Sequence, residues 1–240
     1  MVDLVYSARG QIDLWCISTS PPPPPPPGCG DLIAFSPRTT LSYDDYPISG
    51  ETAEDQYRSY LRPEFVAAIQ TAANLVQSRL IDSPSGHGAP IGLGDMSECD
   101  GSIPGTSVGA PAHPVGTHTG GLDIDVAYYQ TGTPDNHLRP VCESQVSRVE
   151  QNHCVAPPDR LDAVRTAVFL EALAFAAPVR VIGVDGQIGP VLEATLARLC
   201  AEGLTRCTSV PLAYETTDQG MGWFYFHHHH MHISFHRPGG

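Results

Sequence analysis

Apolar and polar positions change period along the chain, and each change marks an element. From Pro63 to Leu80, Phe65, Ile69, Ala72, Ala73 and Val76 recur at helical spacing with Pro63 near the first turn, which predicts a helix. Asp159 to Ala177 repeats the pattern. Asp159 is its expected N-cap, Leu161, Val164, Val168, Ala172 and Phe175 its apolar face, and Pro178 its end. A third helix is expected from Ile188 to Ala201, with Leu192, Leu196 and Leu199 inward and Gly203 as the stop. Elsewhere the period drops to two. Leu122, Ile124, Val126 and Tyr128 would face one side of a strand, and Asp123, Asp125 and Ala127 the other. Val179 to Val184, Val210 to Tyr214 and Trp223 to Phe235 read as further strands from their β-branched and aromatic content. In the last, Met231, Ile233 and Phe235 share one face, with His230, His232 and Ser234 opposite.

The stretches between are polar or rich in Gly and Pro. Residues 1–20 are mildly apolar and could add an edge strand. Pro21 to Pro27 is an unbroken proline run, a stiff polyproline II spacer. A boundary near residue 40 therefore separates an N-terminal segment, 1–40, from the main domain, 41–240. Residues 41–58, 82–90, 101–116 and 130–158 are expected loops. His87 and His113 lie in two of them and read as free loop histidines. The expected fold class is α+β: helices packed on a compact, mostly antiparallel sheet, with many loops.

Composition narrows the function. The chain has 240 residues, enough for one domain with a proper core. Its formal net charge of −13 argues against nucleic acid, whose phosphates require basic patches. No stretch approaches the roughly 18 apolar residues of a transmembrane helix, and the first residues do not read as a signal peptide. Seven cysteines, none in a Cys-x-x-Cys pair, point to disulfides and an oxidising compartment, with buried thiols as the alternative. Proximity in sequence suggests Cys200–Cys207, Cys142–Cys154 and Cys16–Cys29, leaving Cys99 over. Oligomeric state stays open.

The candidate chemistry gathers in two places. His118 stands seven residues before Asp125, with Gly120-Gly121 between them. Asp125 points away from the apolar face of its strand, and the glycines let the chain bend His118 back over it. An imidazole and a carboxylate so held are two of the three protein ligands of a catalytic zinc site. Near the C-terminus, His230-x-His232 on a strand sets two imidazoles about 7 Å apart along the chain. One can bind metal while its neighbour serves the attacking water. The run His227 to His230 has two blander readings, a purification tag and an adventitious metal-binding tract.

His118-x-x-Gly121-x-Asp123-x-Asp125, followed much later by His230-x-His232, resembles the LAS metallopeptidases, which include lysostaphin, D-Ala-D-Ala peptidases and hedgehog domains. Within that group the chain is most similar to the penicillin-insensitive murein endopeptidases, through Gly94-Asp95-Met96-Ser97 and the spacing His227-x-x-His230-x-His232. The likeness spans roughly residues 60 to 236, and a bridge at Cys200–Cys207 would fit it. It departs before the first histidine, where Val115 and Gly116 replace the family's frequent His and Ser. The resemblance implies a LAS-type fold and Zn2+ held by His118, Asp125 and His232, with water in the fourth position. His230 is the expected base and His227 an auxiliary that orients substrate or stabilises the oxyanion. It further implies peptidoglycan stem peptides as substrate, cut at the D-alanyl–diaminopimelyl cross-link, in the periplasm or outside the cell. The alternatives are a D-Ala-D-Ala carboxypeptidase or L-Ala-D-Glu endolysin of the same fold, or a non-catalytic zinc- or wall-binding module. Asp95 reads as a turn former or as a partner that holds the site from behind.

Overall fold

Strand pairing around Asp125 sets the architecture. The computed structural model describes residues 5–6, 12–13, 28–80, 87–144 and 152–237. In chain order its elements are β1 (Val5–Tyr6), β2 (Ile12–Asp13), β3 (Ile33–Ala34), β4 (Tyr43–Asp44), β5 (Tyr60–Leu61), α1 (Pro63–Leu80), β6 (Ile91–Gly92), β7 (Asp123–Ala127), α2 (Ala163–Ala176), β8 (Val179–Gly183), α3 (Gly189–Ala201), β9 (Leu212–Ala213) and β10 (His230–Phe235). The main sheet runs β7-β10-β8-β9. β10 is antiparallel to both its neighbours, and β8 pairs in parallel with β9. The class is α+β. The proline run Pro21–Pro27 and Cys16 lie outside the described residues.

Register follows from the alternation. His232 pairs with Asp125, Ile233 with Ile124 and Ser234 with Asp123. One face of β7 and β10 is therefore apolar: Ile124, Val126, Met231 and Ile233 are fully buried. α1 covers that face, with Phe65 stacked on Phe235 at 4.1 Å between ring centroids. Ile69, Ala72, Ala73 and Val76 continue the stripe into the same core. Each large apolar side chain so buried contributes about 1.5–3 kcal/mol. The polar face of the two strands is left for Asp123, Asp125, His230, His232 and Ser234.

Several expectations need correction. α2 is capped by Asp162, not Asp159: the Asp162 carboxylate accepts the backbone N–H of Arg165 at 3.1 Å. Phe175 is 59% exposed rather than inward, and the Arg206 guanidinium lies 4.3 Å from its ring centre. α2 packs against both α1 and α3, so its central residues are buried all round and its apolar stripe is a weak guide to its ends. The last strand begins at His230, not Trp223. Residues before it are held as a loop by the buried Glu215 carboxylate, which accepts the backbone N–H groups of Gln219, Met221 and Trp223 at 2.7, 3.2 and 2.7 Å. Phe226 then turns with φ 71°.

Cys142–Cys154 and Cys200–Cys207 are bridged as expected. Cys29 is not bonded to Cys16; it joins Cys99 across 70 residues. β3 pairs with β5, and the β5 residue Tyr60 bridges to Ser97, which brings the two ends of that long span together. The pairs β3–β5 and β4–β6 are two residues long, too short to leave a period in the sequence. No helix among the described residues is long and apolar enough to cross a membrane.

Candidate metal centre

Backbone pairing places the first carboxylates. Leu93 bridges to Val126, the Gly94 N–H donates to Asp125 O at 2.7 Å, and the Asp125 N–H donates to Asp95 O at 2.8 Å. A Cβ at Gly94 would lie 3.1 Å from the Asp125 Cβ and 3.0 Å from Leu138. Glycine there lets this segment run against β7 and sets Asp95 beside Asp125.

His118 reaches the same point from the turn before β7. Its φ is 52°, a left-handed conformation uncommon for a residue with a side chain. Gly121, at φ 66°, completes the turn, and its N–H donates to Ser97 Oγ at 3.1 Å. A Cβ on Gly121 would come within 2.6 Å of Leu32 and 2.8 Å of Arg62 N. The His118 ring is fully buried, and its Nδ1 lies 3.2 Å from Met96 O. A carbonyl only accepts, so Nδ1 donates there, and Nε2 is left to face the other side chains of the site. That Nε2 lies 3.4 Å from Asp125 Oδ1 and 3.0 Å from His232 Nδ1.

His232 is oriented in the same way. Its Nε2 lies 3.3 Å from Ser234 Oγ and 3.5 Å from Asp123 Oδ1, and Ser234 Oγ donates to Asp123. Its Nδ1 faces Asp125 Oδ1 at 3.1 Å. The three atoms form a triangle with edges of 3.0, 3.1 and 3.4 Å. One face of a tetrahedron around zinc, with ligands at 2.0–2.1 Å, has edges of about 3.3–3.4 Å. Burial pushes the His232 pKa down, but hydrogen bonds to Asp123 and Asp125 and their charges overcome this and lift it to about 9. Burial raises Asp125, but the imidazoles of His230, His118 and His232 gathered around it outweigh burial and leave the carboxyl well below its usual range.

His113 is the residue that loop reasoning missed. It is not free: its ring stacks on His118 at 3.8 Å, and its Nε2 lies 2.7 Å from Asp95 Oδ2. Asp95 in turn accepts from Arg58 Nη1 on both oxygens at 3.1 Å. The loop is pinned where Glu98 accepts the Ser107 N–H at 3.0 Å and Ala112 N–H donates to Pro104 O at 3.0 Å. Half-buried His113, with His118 and Asp125, forms a group that could hold a metal ion, each residue offering one ligand atom within 4.8 Å of the others. The signal available in the sequence was a second histidine across the short Pro-Val-Gly turn before His118.

His230 and His227 lie alongside. His230 Nε2 is 3.5 Å from Asp125 Oδ1, and its Nδ1 is 3.2 Å from His229 Nε2. The His227 ring lies 5.4 Å from that of His230 and 5.5 Å from that of Trp223. Tyr128 OH fixes the His227 backbone by donating to its carbonyl at 2.8 Å, and His227 Nδ1 is buried without a hydrogen-bond partner. Burial, with the charges of nearby histidines, lowers His227 to about 4. Burial also holds His230 well below its ordinary value, against the pull of Asp125. Both rings are neutral at pH 7, the state a proton acceptor needs. A Cβ at Gly183 would meet the Trp223 ring at 2.2 Å, so glycine lets that indole lie against the sheet beside His227 and His232.

No protein-family model matches the chain, and no curated protein matches it.

Proposed function

We propose that this chain is a zinc-dependent peptidoglycan endopeptidase of LAS type, cleaving D-alanyl–diaminopimelyl cross-links in the periplasm or outside the cell. The observation that carries the reading is the triangle of His118 Nε2, Asp125 Oδ1 and His232 Nδ1. Its donors fit zinc: each imidazole has its other nitrogen engaged, by Met96 O for His118 and by Asp123 and Ser234 for His232. Two imidazoles and one carboxylate leave a coordination position free for substrate or water. Zinc, when bound, supplies Lewis acidity toward the attacking water and the scissile carbonyl. Three disulfides among the described residues fit an oxidising compartment.

The chain's own residues do the rest. His230, neutral and on the ligand face of β10, accepts the proton of the attacking water and delivers it to the leaving amine. His227, with its ring 5.4 Å from that of His230, is the auxiliary that orients substrate or stabilises the oxyanion. The loop 101–116 and the aromatic loop before His227 flank the site and expose Val115, Met221 and Phe226. With a net charge of −13 the protein does not attract anionic wall polymers over distance, so shape and local contacts at these loops select the stem peptide.

Metal content tests this reading. The wild type is expected to bind zinc tightly, and His118→Ala, Asp125→Ala and His232→Ala to lose it. His230→Ala is expected to keep the metal and lose about 10²–10⁴-fold in cleavage, the usual contribution of a general base. Zinc retained through all three ligand substitutions and lost on replacing His227 to His229 would place the ion in the histidine run and end the proposal. Zinc without cleavage of any stem-peptide bond would favour a binding module.

A further inference from the structure

We infer that the site takes a second divalent cation, held by Asp125, His113 and Asp95, with Asp125 bridging the two ions. The inference rests on the zinc reading above and extends it to residues that reading does not use. Asp125 has two carboxylate oxygens that face different ways. Oδ1 faces His118 Nε2 and His232 Nδ1 at 3.4 and 3.1 Å, which accounts for one ion. Oδ2 faces His113 Nε2 at 4.0 Å. That nitrogen is only 2.7 Å from Asp95 Oδ2, so His113 links the Asp95 carboxylate to the Oδ2 side of Asp125, the side that the first ion leaves open.

The surroundings are those of a ligand set. Arg58 Nη1 is within 3.1 Å of both Asp95 oxygens, so Asp95 can turn Oδ2 to a cation while Oδ1 keeps its hydrogen bond; ligating carboxylates carry such partners. Asp95 and Asp125 are fixed to each other through the Asp125 N–H to Asp95 O bond at 2.8 Å. The His113 ring lies over the His118 ring at 3.8 Å, which sets the two ligand groups side by side. Paired ions in hydrolytic sites lie about 3.5–4 Å apart, a separation one carboxylate bridge spans. A solvated loop histidine would need neither the pinned loop nor a buried carboxylate partner.

Zinc stoichiometry of the 240-residue chain, equilibrated by dialysis against buffered zinc, tests the inference. Two ions per chain are expected in the wild type, and one in His113→Ala and in Asp95→Asn, which keeps a partner for Arg58. Cobalt-loaded wild type is expected to show magnetic coupling between its two ions, absent in His113→Ala. A single ion in wild type, lost in His118→Ala, would overturn the second position and leave the proposed function standing. Two ions that persist in His113→Ala and drop to one when His228 and His229 are both changed to Gln would also overturn it. No tight ion at all would remove both this inference and the reading beneath it.

Discussion

His232 has both ring nitrogens assigned by neighbours: Asp123 and Ser234 take one, and Asp125 and His118 face the other. Asp123 therefore acts through His232. Asp123→Asn is expected to leave the fold intact and weaken zinc binding by about 10–100-fold, measured by competition with a chelating dye; unchanged affinity would remove Asp123 from the site. At this scale the sequence was most informative where a residue's role depends on alternation. Asp125 and His232 could be set on one polar face from period alone, and the register of β7 with β10 puts them opposite each other. His113 could not be found that way. Its place depends on how a Gly- and Pro-rich loop folds back and on a partner, Asp95, 18 residues away.

At the scale of elements, the turn before β7 carries much of the geometry. Gly121 combines φ 66° with backbone from Leu61 and Arg62 packed against its α-carbon. Gly121→Ala is expected to destabilise the protein by about 1–3 kcal/mol, read from the urea midpoint, and to weaken metal binding by displacing His118. The cap of α2 gives a second test. Asp162→Ala should cost at least about 1 kcal/mol, whereas Asp159→Ala should stay within about 0.5 kcal/mol. Equal effects would restore Asp159 as the cap. Long periodic elements were legible: α1 spans Pro63–Leu80 as its apolar spacing predicts. The aromatic run Trp223 to Phe226 misled, because its content suits a strand while Glu215 ties the preceding backbone into a loop. Tertiary hydrogen bonding overrode local propensity there.

Across the whole molecule, buried histidines make the metal-free protein sensitive to acid. His227 and His228 both titrate at about 4 in the folded chain, through burial and then the charges of neighbouring histidines, against an ordinary 6.5. Their folded values are depressed, so the stability they contribute is present above about 6.5 and is lost as pH falls toward 4. Each accounts for at most about 1.4 kcal/mol per pH unit. Asp45 runs the other way: burial lifts it to about 6 despite Arg38, so its contribution declines as pH rises through that value and partly offsets the histidines between 4 and 6. Urea midpoints of metal-free protein are expected to fall from pH 7 to pH 4.5, with a shallower slope in His228→Gln. An identical slope in that variant would contradict the buried-neutral assignment. Among the described residues, the Cys29–Cys99 bridge is the pairing that proximity in sequence missed. It depends on β3–β5 pairing across a long loop, and no local spacing encodes that.

The most direct test of the account is the mass of the fragments released when zinc-loaded protein is incubated with purified cross-linked peptidoglycan. The expected result is conversion of cross-linked muropeptide dimers to monomers with intact D-alanyl ends, abolished in His118→Ala. Zinc-loaded, folded protein that leaves every dimer intact would contradict it.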